Sequence, residues 1–584
     1  MVRAPRISRC GSSFNSIRLS DALYVDKTGL LVVLCKDLSS KKRNVHVCTR
    51  PTRFGKTMNL SMIDRFFNVR YQGEKDVFEG LEISGHHEYD QFKNRYPVIQ
   101  LDMRLVSAKS DDSVYGGLTE VIRTAYDDFY GLYGGEWMSE RTERRFRKYM
   151  DDDLNPSEIS SAILHLSKLL HDELKDDSGT RISRKPVILI DEYDHFLQGM
   201  GGKSQDEFDS IRDILSDFIT ISLKSNKDYS FGVMTGILTL SQTGMISGLN
   251  NPVIHNIFDE ETGRFFGYTE DEVRGLVDMY VPEGVDREKV LRDIKSMYDG
   301  YVFGGVEIYN PRSVNMYLAD GVFDGPPGEY WERSRRNTFL DDLLLNSPES
   351  VQDRIATLVL EKGRTEEVSI FPSTVYQDVY NDRSSEDLLY SCLAVTGYLK
   401  AVPVSKSHGL VKIPCTVSLP SREVEHAYNN LIGTIRSRRI RGDRFFQCLL
   451  SYDSEGATEA FNERLKGLST RDSWDHDRCK HNLYDYLIAN GFVTRTEVPL
   501  GNGIIDVSVQ GDRDSGIPDI HIEVTTADEV GCKDLDRILE VCWRKFDERR
   551  YVDGDPHGMF VAFAWDRRFC RIGIRRASDF HDRN

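Results

Sequence analysis

The sequence predicts an α/β fold in three parts: a parallel sheet layered with helices, a mostly helical middle region, and a C-terminal α/β/α unit. Three observations carry this. Short apolar, β-rich runs alternate with amphipathic helix patterns through the first half, as in parallel sheets buried on both faces. From about Thr269 the apolar spacing turns helical. Near the end, a helix, two β-rich runs, a long helix and a last strand succeed one another. The expected division is 1–268, 269–433 and 434–584, and a chain of 584 residues is too long for one ordinary domain.

The runs of the first half are VHVCT (45–49), YPVIQLDM (96–103), KPVILIDEYD (185–194) and YSFGVMTG (229–236). Between the second and third lies NPSEISSAILHLSKLLHDEL, where Ile159, Ile163, Leu166 and Leu170 recur at helical spacing behind an Asn155 cap and a first-turn proline. Strands alternating with helices place ligands at the carboxyl ends of the strands. The middle region opens on TEDEVRGLVDMY, with a threonine cap and acidic first turn. The last part reads as helix KHNLYDYLIANG, strands GIIDVSVQ and DIHIEVTT, helix DLDRILEVCWRKFDERR and strand GMFVAFAW.

Composition removes several classes. No apolar run approaches the roughly 20 residues of a membrane span, so no membrane segment is expected. The N-terminal MVRAPRISRCGSSF has positive charge but no apolar stretch after it, unlike a secretory signal. The 10 cysteines form no CxxC pair, which argues for reduced thiols and a cytoplasmic location. A net charge of −17 repels nucleic acid at long range. Contact with DNA or RNA would therefore need a local basic patch, and IRSRRIRGDR (435–444) is one. Its arginines, Arg436, Arg438, Arg439, Arg441 and Arg444, fit a nucleic-acid contact beside the last unit or a solvated helix face.

The first strand runs into RPTRFGKT. In the pattern GxxxxGK[ST], backbone N–H groups wrap the phosphates, the lysine neutralises their charge and the hydroxyl ligates magnesium. Gly55, Lys56 and Thr57 are present, but Arg50 stands where the first glycine belongs. The fixed φ of Pro51 offers another route to the turn. The apolar strand VILIDEYD ends in Asp191 and Glu192, suited to hold magnesium and polarise water. The two halves together predict a P-loop NTPase sheet binding ATP and Mg2+ through residues 51–57, Pro51, Thr52, Arg53, Phe54, Gly55, Lys56 and Thr57.

With YVDKT (24–28), SGLNN (247–251), FFGYTEDEV (265–273), MYDGYVFG (297–304), YNPRSV (309–314) and VTGYLK in order, the chain resembles the AAA-ATPase-like family. Members of that P-loop group often carry a C-terminal nuclease-like domain of the PD-(D/E)XK superfamily. The resemblance implies an arginine-rich variant loop, with Thr52 departing from the arginine common there. It implies Lys56 and Thr57 on phosphate and magnesium, Asp191 on the metal through water, and Glu192 orienting the attacking water. Thr235 would sense the γ-phosphate, or satisfy a turn as a strand-end hydroxyl. Arg53 would meet phosphate charge, or stand as an ordinary loop arginine. Tyr298, Tyr301 and Phe303 read as packing, and Asn250 and Asn251 as turn caps.

The nuclease-like arrangement needs two carboxylates on adjacent strands to bind a divalent metal, and a lysine two residues after the second. Asp506 and Glu523 fit the pair, Gly501 and Gly503 the hairpin, and Thr525 stands where the lysine is expected. The resemblance allows a relocated lysine, making Lys545 a candidate. Its charged neighbours Arg544, Asp547 and Glu548 favour an exposed stripe instead. The resulting expectation is a cytoplasmic ATPase joined to a nuclease-like domain whose missing lysine argues against activity. Its rivals are an ATP-regulated metal-dependent nuclease and a nucleotide-gated scaffold that turns over little ATP.

Overall fold

The computed structural model describes residues 5–7, 13–20, 22–40, 45–133, 140–151, 153–174, 182, 184–200, 203–238, 249, 252–323, 325, 327–330, 343–361, 363–372, 385–405, 411–466, 475–489, 492, 494–511, 517–567 and 569–581. They form two compact units, Met1–Ala427 and Tyr428–Asn584. The boundary expected at 433/434 falls inside the helix Arg422–Gly442. That expected at 268/269 falls inside the first unit. Among the described residues no helix is long and apolar enough to cross a membrane.

The first unit is built on five parallel strands: β1 (Val45–Thr49), β2 (Val98–Asp102), β3 (Val187–Asp191), β4 (Phe231–Gly236) and β5 (Val253–His255), in the order β2-β3-β4-β1-β5. Every residue of β1, β3 and β4 is buried, which is why their sequences are continuous rather than alternating. Parallel neighbours require crossovers, supplied by helices such as Lys56–Phe67, Pro156–Glu173 and Gln205–Leu223. Pro156–Glu173 starts where the sequence says: Asn155 and Glu158 form a reciprocal capping box with proline in the first turn. The helix buries Ile159, Ile163, Leu166 and Leu170, each such side chain worth roughly 1.5–3 kcal/mol of transfer free energy.

The middle region is less purely helical than its sequence suggests. Helices Glu270–Tyr280, Arg287–Tyr298 and Pro311–Asp320 are present, but two antiparallel three-stranded sheets lie among them. One comprises β6 (Tyr268–Thr269), β7 (Tyr301–Phe303) and β8 (Val306–Tyr309); the other β9 (Glu366–Ile370), β10 (Lys400–Pro403) and β11 (Ile413–Ser418). Most of these strands have two to five residues, too few to stand out in the sequence; β11 does alternate, burying Ile413, Cys415 and Val417. Tyr298, Tyr301 and Phe303 are buried. Of SGLNN only Leu249 is described, so Asn250 and Asn251 lie outside the described residues.

The second unit holds a five-stranded sheet: β12 (Thr494–Leu500), β13 (Gly503–Val509), β14 (Ile520–Thr526), β15 (Met559–Asp566) and β16 (Phe569–Arg576), in sequence order. All its pairs are antiparallel except β14 with β15. That parallel pair needs the crossover helix Leu535–Glu548. One sheet face packs Val507, Ile522, Val561 and Trp565 against Phe445, Phe461 and Leu483; the other packs Phe560 and Ala562 against Cys542, Trp543 and Phe546. Gly501 turns the β12–β13 hairpin at φ 54°, where a Cβ would come within 2.1 Å of the Arg550 carbonyl oxygen. In the basic stretch, the side chains of Arg436, Arg438, Arg439 and Arg441 lie outside the described residues. Arg444 pairs with Glu459 at 3.0 Å.

Candidate functional site

At the carboxyl end of β1 the chain turns through Arg50–Gly55 and enters the helix Lys56–Phe67. Gly55 caps that helix at φ 87°, a conformation that favours glycine. The first-turn amides have no partner within the helix and carry its positive dipole end, which suits an anion. The Lys56 ammonium, almost fully buried, donates to the carbonyls of Arg50 and Pro51, both at 3.1 Å, and so spans the loop. The Thr57 hydroxyl donates to Asp191 Oδ2 at 2.8 Å. The Thr235 hydroxyl, at the end of β4, donates to Asp191 Oδ1 at 2.5 Å. Thr235 therefore spends its hydroxyl on this carboxylate and not on a turn. Glu192 follows in a left-handed conformation, φ 52°, a backbone state that costs free energy outside glycine.

A cavity of about 310 Å³ opens beside this loop, lined by Arg53, Phe54, Gly55, Lys56, Thr57 and Glu192. Pro51 and Thr52 do not line it, and Asp191 and Thr235 lie buried behind it. Lys27 and Arg312 also reach the wall. Four cationic side chains, Lys27, Arg53, Lys56 and Arg312, thus face one lining carboxylate, Glu192. Lys27 is held by Glu272 at 2.6 Å and by the Arg264 carbonyl at 2.9 Å, and burial pushes its ammonium down. Arg53 (φ 71°) donates to the Tyr330 carbonyl at 3.0 Å. Burial, then the like charge of Arg312, lowers its guanidinium to about 10.

Arg50 does something the sequence did not reveal. Its guanidinium is fully buried behind the loop, donating to the carbonyls of Thr49 (2.8 Å) and His255 (2.6 Å) and to the Thr262 hydroxyl (3.2 Å). It stacks on Phe266 and Phe303, 4.7 and 5.3 Å from the ring centres. Asp259 closes the cluster, accepting from Thr262 at 2.5 Å and pairing with His255 at 2.8 Å. Burial alone would raise the Asp259 carboxyl, but the His255 and Thr262 hydrogen bonds outweigh it and hold it at about 2. The arginine in the glycine's place is a structural bolt, not a phosphate ligand.

In the second unit, Asp506 on β13 and Glu523 on β14 occupy neighbouring strands. Asp506 Oδ2 accepts the Val524 amide at 2.8 Å and lies 3.4 Å from His476 Nε2. Glu523 Oε1 lies 3.5 Å from the Lys545 ammonium and 3.3 Å from the Arg549 guanidinium, while its buried Oε2 has no protein hydrogen bond. Burial, then the charge of Asp506, pushes Glu523 up to about 7; the hydrogen bond to Asp506 raises His476 to about 8. Thr525 is fully buried. Lys545 thus leans toward Glu523, whereas the charge pattern of its helix favoured an exposed stripe. A signal was available: Ile538, Cys542, Lys545 and Arg549 recur at helical spacing, and the first two are buried against the sheet. Nothing in the sequence singles out His476.

Hard oxygen donors suit magnesium, which takes one or two carboxylates and keeps several waters. Thr57 with Asp191, and the unpartnered Glu523 oxygen beside Asp506, fit that demand. Among the described residues no group of three or more His, Cys, Asp or Glu side chains is placed to hold a metal ion.

Residues 10–246 match the model of the AAA-ATPase-like family, described as a predicted AAA-ATPase. An uncharacterized protein in the vnfD 5′ region of Azotobacter chroococcum mcd 1 is 25% identical over 508 residues, 84% of each chain. A chain of the Drosophila ORC bound to DNA aligns with 73% of this chain and 94% of its own length at 12% identity and a TM-score of 0.25, too low for a structural argument. At the level of the family, residues 10–246 are thus similar to a P-loop, ATP-binding type of domain.

Asp194 gives a test of this region. It is fully buried, accepting the amides of Ile237 and Leu238 at 2.8 and 2.7 Å, and burial, then Glu192, pushes its carboxyl up to about 6. A folded value above the unfolded one means the native state keeps a proton that the unfolded chain has released. Its stabilising share is full below about pH 4 and is lost as pH rises through about 6, a swing on the order of 3 kcal/mol. Asp194→Asn should remove that dependence, so in urea titrations the variant gains on the wild type by about that amount between roughly pH 4 and pH 7.

Proposed function

We propose that this chain is an ATPase whose first unit binds and hydrolyses ATP and whose C-terminal unit is a nuclease-like, phosphodiester-binding module. One observation carries the first part: a single carboxylate, Asp191, takes the hydroxyls of Thr57 and Thr235 at the floor of a cationic cavity. In this reading the loop amides and Lys56 hold the β- and γ-phosphates, with Lys56 exchanging its loop carbonyls for phosphate oxygens. Thr57 and Asp191 would hold Mg2+, which supplies charge neutralisation on the phosphates. Glu192 orients the water, and Thr235 fixes the Asp191 carboxylate. The family match over residues 10–246 supports ATP as the nucleotide. The nine described cysteines are free, which supports a reducing compartment such as the cytoplasm.

For the C-terminal unit, the supporting observation is Lys545 at 3.5 Å from Glu523, with Asp506 beside it. Asp506 and Glu523 would hold the divalent ion of a PD-(D/E)XK-type site, and Lys545 would stand in for the lysine absent at Thr525. DNA or RNA is the proposed partner of this unit.

Lys56→Ala should lower ATP affinity on the order of 10- to 100-fold, the worth of a charge-assisted hydrogen bond in a buried site, as read by equilibrium titration. Glu192→Gln should keep ATP affinity and lose about 100-fold or more in turnover, the scale of a lost general base. Equal turnover in wild type and Glu192→Gln would favour the scaffold reading. In the second unit, wild type with magnesium or manganese should nick plasmid DNA or cut single-stranded RNA, and Lys545→Ala and Glu523→Gln should each abolish it. An intact substrate with wild type would leave a module that only binds.

A further inference from the structure

Of the four cations that line the cavity beside the phosphate loop, three are held by the protein. Lys27 has Glu272 at 2.6 Å, Lys56 has the Arg50 and Pro51 carbonyls at 3.1 Å, and Arg53 has the Tyr330 carbonyl at 3.0 Å. Arg312 is different. Among the described residues none gives its guanidinium a hydrogen bond or an ion pair; its bond to Asn310 is made by the backbone amide. The side chain is exposed in the first turn of the helix Pro311–Asp320, the end where a cation opposes the helix dipole. Its charge also bears unfavourably on Arg53. Residues set against local preference in this way are characteristic of functional sites. The backbone beneath Arg312 is nevertheless fixed. Asn310 accepts the amides of Arg312 and Ser313, and the Ser313 hydroxyl donates to the buried Glu423 at 2.8 Å. The other Glu423 oxygen accepts the Tyr330 amide at 2.6 Å, and the Tyr330 carbonyl is the one that holds Arg53. One buried carboxylate thus braces both arginines and leaves the head of Arg312 uncommitted.

We infer that Arg312 reads the terminal phosphate of the nucleotide, so that this cavity distinguishes a triphosphate from a diphosphate. The inference rests on the ATP reading of the same cavity. A loop of this kind wraps the inner phosphates with its amides, and its lysine reaches the outer two. Oxygens of the terminal phosphate are then left for side chains outside the loop. Two lining cations lie outside it, Lys27 and Arg312. Lys27 would have to leave Glu272 and the Arg264 carbonyl to serve, whereas Arg312 has no partner to give up. A guanidinium presents a planar fork of N–H donors that matches phosphate oxygens, and such charge-assisted bonds are about twice as strong as neutral ones. The added phosphate also brings negative charge to two arginines whose charges oppose each other. A diphosphate brings less of it.

The test is the ratio of affinities for the β,γ-imido analogue of ATP and for ADP, measured by calorimetric titration of the full-length protein with magnesium present. The wild type should favour the triphosphate. Arg312→Ala should weaken the triphosphate about tenfold or more, the scale of a lost charge-assisted hydrogen bond, and leave ADP within about twofold. The ratio then collapses. Arg312→Lys keeps the charge without the fork and should fall between the two. Lys56→Ala, by contrast, should weaken both nucleotides, since the lysine reaches a phosphate that both carry. A wild type that binds the two equally would overturn the inference while leaving the phosphate loop standing. So would an Arg312→Ala that keeps the wild-type ratio, whether by leaving both affinities alone, as a solvated arginine would, or by lowering both together. A wild type that binds neither nucleotide would instead remove the ATP reading and this inference with it.

Discussion

The first unit is organised around one buried carboxylate. Asp191 ends β3, Thr235 lies near the end of β4, and Thr57 starts the helix that follows β1; the sheet places these strands side by side in the order β3-β4-β1. Two hydroxyl donors on one carboxylate fix the depth at which the three strands stop. An ionised carboxylate removed from water needs such donors, because without them its burial would cost several kcal/mol. The same need recurs one turn later, where Asp194 takes two backbone amides from the loop after β4. The acidic run DEYD is thus two anchors, Asp191 and Asp194, with Glu192 between them held in a left-handed turn and facing the cavity.

The loop above that floor is held from behind. A glycine-rich loop gets its shape from conformational freedom, whereas this one gets it from Arg50, whose guanidinium donates to two carbonyls and a hydroxyl and lies on two aromatic rings. Phe54 adds a second attachment, packing edge-on against Tyr301 and Phe303 at 4.8 and 5.1 Å. Both attachments reach the small β6-β8-β7 sheet, which makes that sheet part of the loop's support. This explains how motifs far apart in the chain, YVDKT, FFGYTEDEV, MYDGYVFG and YNPRSV, come to belong with the loop: each contributes residues to the cavity wall or to the packing behind it.

What could be read from the sequence was local. The strands β1 to β4, the capped helix at Asn155 and the Gly-Lys-Thr turn announce themselves through apolar runs, a capping residue with a first-turn proline, and a glycine before a helix. β5 and the strands of the β6-β8-β7 sheet have two to four residues, too few to stand out, whereas β11 does alternate but lies in a stretch read as helical. Arg50 was illegible for a different reason. In the sequence it is only an arginine standing where a glycine belongs, and residues more than two hundred positions away, His255 and Thr262, give it its purpose.

Charge compensation separates the two candidate sites. Around the phosphate loop, cations exceed lining carboxylates, and Arg53 is pushed downward by burial and by a neighbouring cation. That surplus favours whatever brings negative charge. In the second unit the balance is already struck: Asp506 has His476, and Glu523 has Lys545 and Arg549. Glu523 is nonetheless raised to about 7, because burial and the charge of Asp506 outweigh the two cations beside it. The two sites thus differ in what carries the imbalance: cations gathered around one lining carboxylate at the loop, and in the second unit a single buried carboxyl, Glu523, raised despite having its partners.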